Sequence, residues 1–149
     1  MPNAKTIFIT TVLIFSDLYG EAIARLIKMD GKVLFKRLGS STFSERATLG
    51  TAINNGDALM VGEKSFVAVV YLDDKTVLKI RENSEFEFLD TRNTRTIDIE
   101  RGTILNEIES SVKNRTFRIE TPISVASVKG TKFAALIDPS GVDQFIGKE

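Results

Sequence analysis

The sequence predicts an all-β domain of short strands, either a β-solenoid or a flattened β-sandwich, behind an N-terminal export signal. From Arg25 onward the apolar residues recur with a period near two and almost never near 3.6. Turn formers interrupt that alternation every ~8–12 residues, the rhythm of stacked or facing sheets. Residues 1–24 follow another plan, with a positive charge, an apolar run and small residues in that order.

The N-terminal segment reads as an address. Lys5 precedes the run Ile7 to Phe15, and Asp17 and Glu21 stop the run well short of the ~20 apolar residues a membrane span needs. Ala22-Ile23-Ala24 then supplies an A-x-A cleavage pattern. The expected division is a cleaved signal peptide over 1–24 and one domain over 25–149. The alternative is that Thr6 to Phe15 forms a buried strand, which its β-branched content allows.

The strands follow in order. Val33 and Phe35 alternate with Leu34 and Lys36. Phe66 to Tyr71 is apolar at every position, as expected of a strand buried on both faces. Leu78 and Ile80 flank Lys79, Phe86 and Phe88 flank Glu87, Ile97 and Ile99 flank Asp98, and Phe117 and Ile119 flank Arg118. A charge between two apolar residues puts one strand face in the core and the other in water. Turns are expected at Asp30-Gly31, Asn54 to Asp57, Asp73-Asp74, Asn83-Ser84, Arg101-Gly102 and Pro139 to Gly141. Thr103 to Lys113 suits an amphipathic helix or a strand, since Ile104, Leu105, Ile108 and Val112 share a helical face. A strand-and-turn pattern still runs at Phe145 to Glu149, so the chain is expected to be truncated there.

Composition removes several classes of function. The 149 residues hold 20 basic and 20 acidic groups, with no histidine and no cysteine. Zinc, haem and iron–sulfur sites lose their usual ligands, and Ser–His and Cys–His nucleophiles lose their base. Basic residues are scattered rather than gathered, and only two tyrosines and no tryptophan offer stacking platforms, so nucleic acid is not an expected partner. No cofactor and no metal is expected.

Several phrases, in this order, resemble the extracytoplasmic domain of FecR-family proteins. They are Asp30 to Val33, Asn55 to Gly62, Ser65 to Val69, Thr76 to Ile80, and Thr121-Pro122-Ile123-Ser124-Val125-Ala126-Ser127-Val128-Lys129-Gly130-Thr131-Lys132-Phe133. The last is similar to the family's TP-x-A-x-VRGT-x-F signature, with Lys129 in place of arginine and Ser124 in place of alanine. The resemblance spans roughly Arg25 to Asp138. It implies an all-β periplasmic domain. The family's best-understood members receive a signal from an outer-membrane transporter and control a sigma factor. This sequence shows no cytoplasmic anti-sigma segment, so it resembles a stand-alone exported version, periplasmic or secreted, meeting the membrane only as an export route.

The residues of these phrases read first as structure. Gly56, Asp57, Gly62 and Gly130 are expected to build turns between strands. Lys129, Thr131 and Lys132, within the signature phrase, are the candidate contact for an anionic or acidic partner; a solvated face is the alternative for both lysines. Val128 to Thr131 lacks the leading glycine and following helix of a phosphate loop. Carboxylates pair at Asp73/Asp74, Glu85/Glu87 and Glu107/Glu109. A glycosidase needs two carboxyls ~5–9.5 Å apart across a cleft. Glu85 and Glu87 read instead as the wet side of a strand, and no cleft gathering them is expected. Asp73-Asp74 lacks calcium-loop spacing. The expected function is a non-enzymatic module that binds another envelope protein in signalling or as an adaptor. The competing readings are a structural or glycan-binding envelope domain and a glycan hydrolase.

Overall fold

The computed structural model describes residues 20–107, 115–128, 132–137 and 143–148. Within them the chain forms thirteen strands and no helix. In order these are Ala22–Asp30 (β1), Val33–Lys36 (β2), Glu45–Arg46 (β3), Ala52–Asn54 (β4), Ala58–Val61 (β5), Phe66–Tyr71 (β6) and Val77–Ile80 (β7). Then come Ser84–Asp90 (β8), Thr94–Glu107 (β9), Thr116–Glu120 (β10), Val125–Val128 (β11), Lys132–Ile137 (β12) and Asp143–Lys148 (β13). The all-β expectation holds.

The strands make one curled sheet with two wings that share β9. One wing runs β3-β2-β5-β8-β9 and continues through β10 to β11. The other runs β4-β1-β6-β7-β9 and continues through β12 to β13. Among the described residues every pairing is antiparallel except β9 with β10. The alternating residues point where their period directs them: Val33, Phe35, Leu78, Ile80, Phe86, Phe88, Ile97, Ile99, Phe117 and Ile119 are all buried. They join one core inside the curl. Tyr71 from β6 and Phe88 from β8 meet edge-on across it, ring centres 6.1 Å apart, the geometry aromatic quadrupoles favour.

Strand β9 departs from expectation at Gly102. Arg101-Gly102 does not reverse the chain, and Thr103 to Glu107 is strand rather than helix. The first half of β9 pairs β8, from Arg95 opposite Asp90 to Arg101 opposite Glu85. The second half pairs β7 and β12. Gly102, at φ +112°, is the joint between the halves. A Cβ there would sit 2.1 Å from Ser84 Oγ, which accepts a hydrogen bond from Thr103 N at 3.1 Å. Glycine serves here as a bend inside a strand, where a backbone must pass close by. Thr103 to Glu107 thus takes the strand alternative, and the rest of the segment to Lys113 lies outside the described residues.

The A-x-A pattern falls inside β1. Ala22 pairs Asn54, and Ala24 pairs Ile53 on one side and Tyr71 on the other. The strand thus begins three residues before Arg25. The apolar run Ile7 to Phe15 lies outside the described residues.

Candidate functional site

The residues expected to carry contacts are spread over several places. Lys129, Gly130 and Thr131 lie outside the described residues. Lys132 opens β12, in register with Glu107 and Lys148. Gly56 takes φ +83° in the turn between β4 and β5. Asp57 is buried beside it: Oδ2 accepts from Asn54 N at 2.9 Å and from Arg37 Nη1 at 2.6 Å, and Oδ1 accepts from Leu38 N at 3.2 Å. Gly62 needs closeness rather than positive φ, since a Cβ would lie 3.3 Å from the Lys32 carbonyl oxygen. The turn residues therefore knit β2, β4, β5 and β8 together.

A different cluster dominates the polar interior. Arg95, on β9, is only 1% exposed and sits 3.6 Å from the centre of the Tyr71 ring. Its guanidinium donates to Asp74 Oδ2 at 2.6 Å and to both Asp73 oxygens at 2.7 and 2.8 Å. Asp90 Oδ1 lies 3.5 Å from Arg95 Nε, near enough for attraction though not hydrogen-bonded. Arg115 closes the outside, with Nη1 at 2.8 Å from Asp73 Oδ2 and 3.2 Å from Asp90 Oδ2. It also donates to the Thr91 and Arg92 carbonyl oxygens. Burial opposes the charge on Arg95, but Tyr71 and the surrounding carboxylates hold its pKa above the ordinary arginine value. Burial works against ionised Asp73 too, yet the Arg95 hydrogen bonds and charge, with Arg115, hold that carboxyl below its usual range. Asp90 goes the other way: burial raises it, and the two guanidiniums offset this only in part.

The cluster floors a cleft of about 500 Å³ lined by Ile23, Asn55, Leu72, Asp73, Asp90 and Arg115, among others. Two carboxyls pushed in opposite directions are a familiar mark of acid–base sites. Here each is already bridged by arginine, and Asp90 Oδ1 is closed off from solvent. The arrangement suits fixing the end of the curl, tying the β6–β7 turn to β8, β9 and the start of β10.

The second concavity overturns one expectation. Glu85 and Glu87 do line a shallow trough of about 340 Å³, with Lys36, Asp98 and Glu100. Glu87 stands directly opposite Asp98, and Asp98 is in register with Glu120 on β10. Like charges facing across strands are destabilising, and burial with Glu120 and Glu100 nearby pushes the Asp98 carboxyl up. Arg101 Nη2 approaches Glu85 at 3.5 Å. Among the described residues no group of acidic side chains is arranged to hold a metal.

The two ends of the sheet differ in kind. At one end, β3 and β4 are two and three residues long, and β3 exposes Glu45 and Arg46. At the other, β13 is six residues long and among the described residues pairs only β12, while β11 pairs only β10. Ile123, Val125, Phe145 and Ile146 are exposed there. Asp143 Oδ2 ties the two edges, accepting from Thr121 Oγ1 and Ser124 Oγ at 2.5 Å each.

The family described as FecR protein matches residues 57–143, from the buried Asp57 to the Asp143 clamp. The chain belongs to the FecR family. Domains of this FecR type take part generally in envelope signalling. The matched region takes in both halves of β9, the Arg95 cluster and β11. No curated protein and no solved structure gives a match. No helix among the described residues is long and apolar enough to cross a membrane.

Proposed function

We propose that this FecR-family chain is an exported, non-enzymatic module that docks another envelope protein through the open end built by β11 and β13. The carrying observation is the asymmetry of the two sheet ends. Very short edge strands such as β3 and β4, and charge such as that on β3, discourage pairing with other chains, whereas the longer edge of β13 with its exposed apolar residues invites it. Phe145 and Ile146 offer backbone hydrogen-bonding groups and apolar contact together, the combination used in β-strand addition.

The test is affinity capture from envelope extract with the exported domain as bait, run beside Ile146→Lys. A single protein retained by the unaltered domain and reduced at least tenfold by Ile146→Lys supports the reading. Equal retention by both removes the edge from the account. Retention of peptidoglycan or polysaccharide in place of protein supports the structural or glycan-binding alternative. The trough of Glu85, Glu87, Asp98 and Glu100 is the observation that favours glycan contact, and release of sugar fragments sensitive to Glu87→Gln would overturn the non-enzymatic reading.

A further inference from the structure

We propose that the leader is cut between Ala22 and Ile23, one small-residue step upstream of the cut that Ala22-Ile23-Ala24 directs. The inference rests on the export reading above. It starts from which residues of β1 the fold uses. Ala24 is fully buried and paired on both sides, opposite Ile53 and Tyr71. The Ile23 carbonyl accepts from Leu72 N at 3.0 Å, and the Ile23 side chain packs on the core. A cut after Ala24 would delete the strand neighbour of Tyr71, whose ring carries Arg95.

Ala22 is less committed. Among the described residues it pairs only Asn54, beyond an irregularity that sets it apart from Ala24. Gly20 and Glu21 are exposed, and nothing lies within 4 Å of where a Gly20 side chain would start. Gly20-Glu21-Ala22 presents small residues with the same one-residue gap as the A-x-A pattern. Peptidase and fold are both satisfied by the cut after Ala22, and only the peptidase by the cut after Ala24.

Local charge adds nothing to the case for the upstream cut, which rests on the use the fold makes of β1. The cut frees an α-ammonium on Ile23, which lines the cleft shared by Asp73 and Asp90. Glu21 leaves with the leader. Arg92 and Arg115 line the same cleft, and Arg115 already bridges the two aspartates.

The experiment expresses the full chain with its leader in a bacterial host and reads the envelope form by intact mass and N-terminal sequencing. Ile23 as first residue is the expected result. Arg25 as first residue overturns the inference and leaves export standing, whereas an uncut chain confined to the cytoplasm overturns both. Gly20→Leu, which the open space tolerates, enlarges a recognised position of the upstream cut and none of the downstream one. It is expected to lower the fraction that begins at Ile23 at least tenfold, with any remaining processing moved to Arg25; an unchanged Ile23 fraction overturns the proposal.

Discussion

The Arg95 guanidinium lies 3.6 Å from the Tyr71 ring centre, sealed between a phenol face and three aspartates. A cation removed from water this fully is tolerated only while its partners stay in place. Arg95→Ala removes the buried cation shared by Asp73, Asp74 and Asp90, leaving Asp90 to Arg115 and Asp74 to the Thr76 amide, and a loss of about 3–5 kcal/mol is expected from urea unfolding. Arg95→Lys keeps the charge without the planar fork and should recover only part of it. A loss under about 1 kcal/mol for Arg95→Ala would mean that the cluster is ornamental to stability.

Asp57 has a comparable role at the other side of β8. Its two oxygens satisfy two backbone amides and Arg37 at once. Asp57→Ala should cost about 3 kcal/mol or more, because three donors lose their acceptor in a buried place. Asp57→Asn keeps some acceptance and should fall between the two. Equal stability of all three proteins by chemical unfolding would contradict this.

At Gly102, replacement by alanine meets two separate obstacles. Backbone φ of +112° is disfavoured for any L side chain, and the new methyl collides with Ser84. Gly102→Ala is expected to lower stability by about 2–4 kcal/mol. Ser84→Gly in the same chain relieves the contacts with Ser84 Oγ and Cβ but leaves the backbone Cα 2.5 Å away and the φ penalty, so it should restore only a small fraction. Full restoration would show that the bend itself carries no cost.

Acid titration should separate Asp73 from Asp98. The Asp73 pKa is depressed in the folded protein, so its stabilisation is complete above the unfolded value of about 3.9 and lost as pH falls through the lower folded value. Asp98 is raised, so the folded state prefers its proton and loses stability as pH rises from about 3.9 through the folded value. Asp98→Asn is therefore expected to melt above the unaltered protein at pH 7, with the difference closing by about pH 3. A difference that persists unchanged at pH 3 assigns the effect to packing.

Much of this architecture was legible because parity in a strand is a local property. Ile97 and Ile99 mark the inward side of β9, and Arg95 stands two residues earlier on the same side, so a buried arginine was readable from spacing. Its partners were not, since Asp73 and Asp74 meet it through the pairing of strands distant in sequence. The acidic trough was hidden for the same reason: Glu87 faces Asp98 only in the register that β8 and β9 adopt. Gly102 misled because glycine marks both chain reversals and bends within strands. Ala22 and Ala24 suit a peptidase and a strand edge equally, and only burial distinguishes the uses.

Because both wings borrow β9, neither can be finished from the N-terminal residues alone. Strands β1 to β8 supply two four-stranded pieces, and the element that joins them is made only when the ribosome has passed Glu107. Pairings that span such long stretches of chain form slowly. The domain should therefore stay open through most of its synthesis and close late, in one cooperative step.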